Sequence, residues 1–217
     1  MRTALVVFTK VPKTGETKTR LTTEREGILT AEEARLLYEG CVLDVINCCT
    51  ASGSGDVMVC YNQGGDRKVL EKLLEGLDEP QKIKKIFCDK GGSFDDCMQY
   101  AGDYVLKQGG PDRLADAIVI FGGDLPTMQP KIVKHSVEKL AELAASSAGM
   151  AAANGRAPGI GAAMVEGACQ EGGFSIIGYT CTTPFDFDKV FYNMDAITAL
   201  DMVMEKAKAK NLPFACV

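Results

Sequence analysis

Two stretches of this chain carry residue types that could do chemistry. The first is Ile118-Val119-Ile120-Phe121-Gly122-Gly123-Asp124-Leu125-Pro126, where an apolar run over 117–121 ends in two glycines, a carboxylate and a proline. An unbroken apolar run of this kind reads as a strand buried on both faces. Asp124 then stands just past the strand's carboxyl end, where open α/β sheets hold ligands. It is either an oxygen ligand for a hard cation or the acidic residue of a turn, and the stretch alone leaves both readings open. The second stretch is Lys10-Val11-Pro12-Lys13-Thr14-Gly15-Glu16-Thr17-Lys18-Thr19-Arg20-Leu21, which packs Lys10, Lys13, Lys18 and Arg20 into eleven residues. It follows the first apolar run, where phosphate-binding loops sit in α/β proteins. Ammonium, guanidinium and threonine hydroxyl groups on one loop supply the charge-assisted donors that a diphosphate needs. The plain alternative is a solvated surface loop. It is not a Walker loop, because the first glycine would fall at residue 12 or 13, which are proline and lysine.

These residues need a scaffold, and the hydrophobic pattern supplies one. Strands are expected over 3–9, 56–61, 82–88, 117–121, 161–165 and 174–180. Helices are expected over 30–51, 65–77, 93–107, 129–148 and 195–210. Thr30 with Glu33, and Ser93 with Asp96, have the spacing of helix caps. Inward positions are expected at Ala34, Leu37, Cys41, Val45 and Cys48 of the first helix and at Val69, Leu70, Leu73 and Leu74 of the second. In the last helix they are Ile197, Leu200, Met204 and Ala207. The run Asp89-Lys90-Gly91-Gly92-Ser93 is a glycine turn with a cap, or a place where backbone amides approach a ligand. Alternating strands and helices predict a three-layer α/β/α protein with a mainly parallel, mixed sheet, folded as a single domain over 1–217. No G-x-G-x-x-G follows the first strand, so a dinucleotide site is unsupported.

Composition narrows the function classes. The net charge is 24 − 29 = −5, which argues against non-specific binding to nucleic acid or a membrane surface. A polyphosphate would have to be met locally, by a basic loop or a metal. Hydrophobic residues make up 46 % of the chain, ample for a core. The apolar run that follows Met1-Arg2-Thr3 is too short for a secretory segment, and no run has the length of a membrane span. The nine cysteines are odd in number and scattered, with no Cys-x-x-Cys pair, which fits reduced thiols in a cytoplasmic protein. His135 is the sole histidine, which excludes chemistry that needs a histidine pair.

Three stretches in order carry a family resemblance: Val-Phe-Thr-Lys-Val-Pro-Lys-Thr-Gly-Glu-Thr-Lys-Thr-Arg-Leu over 7–21, Phe-Gly-Gly-Asp-Leu-Pro over 121–126, and Glu-Gly-Gly-Phe-Ser-Ile-Ile-Gly-Tyr over 171–179. Together they resemble the GT-A, or nucleotide-diphospho-sugar transferase, superfamily. The likeness is to its small bacterial and archaeal glycosyltransferase-like group (DUF2064-type), and more distantly to 2-phospholactate guanylyltransferase. The resemblance implies that Lys18, Thr19 and Arg20, with Lys10 beside them, face the nucleotide phosphates. It implies that Gly92 and Ser93 lie near the base or ribose, and that Asp124 binds Mg²⁺ or Mn²⁺ bridging a diphosphate. It implies that Glu171, Gly172 and Gly173, the turn of the third motif, contact the nucleotide from the same edge. Asp124, Lys18 and Arg20 are the catalytic candidates. The partners implied are a nucleotide or nucleotide-sugar donor and a small-molecule acceptor, with a homodimer allowed.

Glu171 stands where the group usually has Asp and Phe174 where it usually has Tyr, and residues 154–160 read as an insertion. A second metal ligand is not placed. Asp186, Asp188, Asn193 and Asp195 are candidates, each equally readable as a cap or a surface group. The reaction implied is glycosyl transfer. The alternatives are nucleotidyl transfer to a small phosphorylated acid and nucleotide binding without turnover.

Overall fold

The computed structural model describes residues 1–169, 172–193 and 197–217. Seven strands form one sheet: β1 (Thr3–Thr9), β2 (Asp56–Tyr61), β3 (Ile83–Cys88), β4 (Ala117–Gly122), β5 (Met164–Ala168), β6 (Phe174–Thr180) and β7 (Phe214–Cys216). Their order across the sheet is β3-β2-β1-β4-β6-β5-β7. All neighbours are parallel except β6, which runs antiparallel to both β4 and β5. The expected three-layer α/β/α architecture with a mainly parallel mixed sheet is present.

The layers follow from the period of two along each strand. On one face Ala4, Val6, Met58, Ile118 and Ile120 pack beneath α3 (Phe94–Leu106) and α6 (Ala199–Ala209). On the other Leu5, Val7, Val59, Val119 and Phe121 pack against α1 (Ala31–Ser52), α2 (Arg67–Leu74) and α4 (Pro130–Ala145). β1 and β4 are buried on both faces, as their unbroken apolar runs require. Each fully buried side chain of this kind contributes about 1.5–3 kcal/mol relative to exposure. Among the described residues no helix is long and apolar enough to cross a membrane.

The expected caps are both there. The Thr30 side chain accepts the Glu33 amide while the Glu33 carboxylate takes the Thr30 amide, and Ser93 and Asp96 do the same for α3. Several expected details are corrected. In α1 the buried stripe runs through Ala34, Tyr38, Val42, Val45, Ile46 and Cys49, while Leu37 is exposed and Cys48 only partly covered. The helix is rotated so that the Tyr38 ring, not Leu37, faces inward. α2 is shorter than 65–77, because Asp66 caps it by accepting the Lys68 amide, and Val69 is exposed.

The helix expected over 129–148 breaks at Ser146, which caps a separate short helix, α5 (Ser147–Ala152), by accepting the Gly149 amide. The strand expected over 161–165 begins only at Met164. Ala162 and Ala163 instead donate their amides to the Gly149 carbonyl and the Thr183 hydroxyl. α6 begins at Ala199 behind a Thr198 cap and buries Val203 and Ala207, whereas Leu200 and Met204 are only half covered. β7 lies parallel to β5 at the sheet edge and was not expected, since three residues are too few to show a period.

Candidate functional site

At the carboxyl edge of the parallel strands lies a cavity of about 820 Å³. One wall comes from the ends of β1, β2 and β3 and holds Thr9, Lys10, Lys18, Asn62 and Asp89. The floor is the end of β4, with Gly122, Gly123 and Asp124. The other wall rises from β6 and α3 and holds Phe94, Phe174, Ile177 and Phe191. Parallel pairing brings these chain ends to one edge, because β1 aligns with both β2 and β4.

Asp124 is placed by Gly123. The Gly123 amide donates to the Phe8 carbonyl at 3.0 Å, and any Cβ on Gly123 would come within 3.0 Å of the Thr9 side chain. The chain therefore leaves β4 pressed against the end of β1, and the next carboxylate opens into the cavity. Its side chain keeps 38 % exposure and forms an ion pair with the Lys18 ammonium.

The basic loop is built, not slack. The Val11 amide donates to Asn62 Oδ1 at 2.8 Å, and the Lys13 amide donates to the buried Thr17 hydroxyl at 2.8 Å. The Tyr38 hydroxyl pairs with the Thr9 hydroxyl at 2.8 Å and accepts the Lys10 amide at 3.1 Å. Burial pushes the Tyr38 phenol pKa up, so it stays protonated across the physiological range. Lys18 sits in the left-handed backbone region (φ 52°) with its ammonium 5.5 Å from the centre of the Tyr38 ring. A partly exposed ion pair is worth about 0–1 kcal/mol. An incoming cation at Asp124 and an anion at Lys18 could therefore part the two at little cost.

Of the residues expected at the site, the structure brings Lys10, Lys18, Gly92 and Asp124 to the cavity. Thr19 and Arg20 lie on a short 3-10 turn (Thr19–Leu21), exposed and outside the cavity lining. Ser93 is outside the lining too, its hydroxyl and amide both engaged with Asp96. Gly92 has φ 99°, which suits glycine, and its neighbour Gly91 also lines the cavity. Gly172 and Gly173 do not line it, and a Cβ on Gly172 would strike Thr198. Glu171 and Asp195 lie outside the described residues. Asp186 is paired with Lys206 and Lys210, and the Asn193 side chain bonds both backbone groups of Ile197. Asp188 lies in an exposed turn.

Other groups in the lining or just behind it carry no expectation from the sequence. Asp89 is buried and accepts the Gln63 amide at 2.8 Å and the Gly91 amide at 2.9 Å, fixing the glycine turn. Asp95, buried in the first turn of α3, accepts the Phe191 amide at 2.9 Å, and Gln99 accepts the Phe187 amide at 2.9 Å. Those two bonds hold the segment 185–191 against α3 and set Phe191 in the cavity. No local sequence signal marks them, because they join residues 96 and 88 positions apart. Tyr38 comes from the first turns of α1 and carries no local mark of a site.

The chemistry available is electrostatic. The cavity thiol Cys97 is pushed up to about 11, first by burial and then by Asp89, so it is not a thiolate near neutral pH. Among the described residues no three ligating side chains gather to hold a metal by themselves. Asp124 fits a divalent cation of the Mg²⁺ kind, which takes one or two carboxylates and completes its shell with phosphate oxygens and water. Lys18, which pairs with this carboxylate, lines the same cavity.

A family model described as "Uncharacterized protein conserved in bacteria (DUF2064)" matches residues 45–194. No curated protein is significantly similar in sequence. Among solved structures, one from Desulfovibrio desulfuricans G20, described as a "putative nucleotide-diphospho-sugar transferase", superposes with a TM-score of 0.73 at 21 % identity. The match covers 100 % of this chain and 80 % of that one. A cytidylyltransferase from Leptospira borgpetersenii matches with a TM-score of 0.53 at 13 % identity, covering 100 % of this chain and 76 % of the other. The 4-diphosphocytidyl-2C-methyl-D-erythritol synthase of Anaerococcus prevotii matches at 0.52 and 10 % identity, covering 100 % and 88 %. At these identities the likeness concerns the fold, which is that of the nucleotide-diphospho-sugar transferases.

Proposed function

This chain belongs to the DUF2064 family, and on that premise we propose that it is a metal-dependent transferase using a nucleotide-sugar donor. The observation that carries the reading is the Lys18–Asp124 pair at the carboxyl edge of β1 and β4, inside the cavity of about 820 Å³. In an acidic protein it sets a cation donor and a carboxylate side by side where a diphosphate would lie. Lys18 and Lys10 would bind the phosphates, and Asp124 would hold Mg²⁺ or Mn²⁺ with phosphate oxygens as the other ligands. The bound cation would supply Lewis-acid stabilisation of the departing diphosphate. The protein's own part is to position donor and acceptor and to match developing charge, with no covalent nucleophile required. Asn62, Asp89 and Gly91 lie on the same wall as the lysines and frame the space for the base and ribose. The nine free cysteines fit a reducing compartment and so a cytoplasmic site of action.

Calorimetric titration with nucleoside diphosphates, with and without Mn²⁺, tests this directly. Metal-dependent binding is expected, and Asp124→Ala is expected to weaken it by about 100-fold or more. Absence of metal-dependent binding to every nucleoside diphosphate overturns the reading. Release of pyrophosphate from a nucleoside triphosphate would instead assign nucleotidyl transfer. Binding without turnover of any donor would assign a nucleotide-sensing role.

A further inference from the structure

The two walls of the cavity differ in charge, and that difference bears on the second substrate. Both lysines in the lining sit on the β1 side. The β4–β6 side is lined by Ile120, Leu125, Phe174, Ile177 and Phe191, with Phe94 at the start of α3. Among the described lining residues on this side none is a cation, so an acceptor carrying phosphate or carboxylate would find no cationic partner there, and desolvating an unpaired anion is costly.

The aromatic rings there form one connected set. Phe94 meets Phe8 edge-on with ring centres 5.7 Å apart, Phe191 packs against Phe94 at 4.5 Å, and Phe174 tilts against Phe191 at 5.2 Å. Phe94 nonetheless stays 39 % exposed, and Phe8, Phe174 and Phe191 are only partly covered. Partly exposed rings in an edge-to-face array offer a flat apolar group further edge and face contacts. The segment that carries Phe191 is held by the Asp95 and Gln99 bonds, so the rings are positioned before any ligand arrives.

We propose that this wall binds the acceptor, and that the acceptor is a neutral hydroxyl compound with an apolar, ring-sized body. The word acceptor rests on the transferase reading; the binding of an uncharged apolar ring does not.

The test uses the full chain and a neutral fluorescent probe, N-phenylnaphthylamine. The chain has no tryptophan, so probe emission is read against a low background. The probe is expected to bind, to be displaced by benzyl alcohol, and not to be displaced by phosphoglycolate. Phe191→Ala and the more exposed Phe94→Ala should each weaken probe binding about tenfold, the loss of one well-packed aromatic contact. Nucleoside diphosphate binding with Mn²⁺ should stay within about twofold in both variants. If Phe191→Ala fails to fold by circular dichroism, Phe94→Ala carries the test alone. Displacement by phosphoglycolate, unchanged probe binding in the folded variants, or an equal loss of nucleotide affinity would each overturn the proposal. Probe binding without any nucleotide binding would sink the donor reading and leave this one standing.

Discussion

The parallel half of the sheet, β3-β2-β1-β4, and the antiparallel half, β6-β5 with β7, solve the same problem by different means. On the parallel side the loops at the sheet edge are fixed by polar groups. Asn62 holds Val11, Tyr38 holds Thr9 and Lys10, and Asp89 holds Gln63 and Gly91. On the other side the shape comes from packed rings and from two long-range bonds off α3. The first half presents charge to the cavity and the second presents carbon. A transfer between an anionic donor and an uncharged acceptor is served by that division, since each substrate meets the wall that costs it least to desolvate.

One residue violates the division. Glu166 lies in the middle of β5, fully buried, and neither carboxylate oxygen has a hydrogen-bond partner among the described residues. Burial, with a smaller contribution from Asp201, pushes its pKa from 4.5 up to about 8. The folded chain therefore holds a proton there that the unfolded chain releases above about pH 4.5. The resulting stability is fully present below that value and is lost as pH rises through about 8. The loss is at most about 5 kcal/mol, since each tenfold change in proton affinity is worth about 1.36 kcal/mol. This is the largest effect expected outside the cavity. Urea denaturation from pH 4.5 to 8 should show a falling unfolding free energy in the native chain and a flat profile in Glu166→Gln. A flat native profile would show that Glu166 is ionised and partnered in solution.

The next effect probes the packing between the halves. A Cβ on Gly102 would lie 1.9 Å from the Tyr179 hydroxyl, where α3 rests on β6. Gly102→Ala is expected to cost about 1–3 kcal/mol through overpacking. If thermal unfolding is unchanged, α3 is free to shift on the antiparallel half and the wall it carries is softer than its packing suggests.

The smallest effect tests the polar side. Tyr38→Phe removes the partner of the Thr9 hydroxyl and of the Lys10 amide while keeping the ring. A stability loss of about 1 kcal/mol is expected. Nucleotide affinity should weaken with it, because the loop that carries Lys10 and Lys18 loses an anchor. Unchanged affinity would mean that the loop is ordered by Asn62 and Thr17 alone.

The sequence by itself determined the central strands, both capped helices and the position of Asp124. Each depends on residues close in the chain: an apolar run, a cap three residues from its partner, a carboxylate behind two glycines. It also pointed Lys10, Lys18 and Asp124 to one edge, since parallel strands end on the same side of a sheet. Only the tertiary structure decided the rest. Thr19 and Arg20 share a motif with Lys18, yet the left-handed turn at Lys18 sends them out of the cavity lining. The aromatic wall has no local signature, because Phe8, Phe94, Phe174 and Phe191 come from four distant parts of the chain. Local hydrogen bonds and turn geometry are written in neighbouring residues. The meeting of distant side chains depends on how whole layers pack, and no short stretch of sequence encodes it.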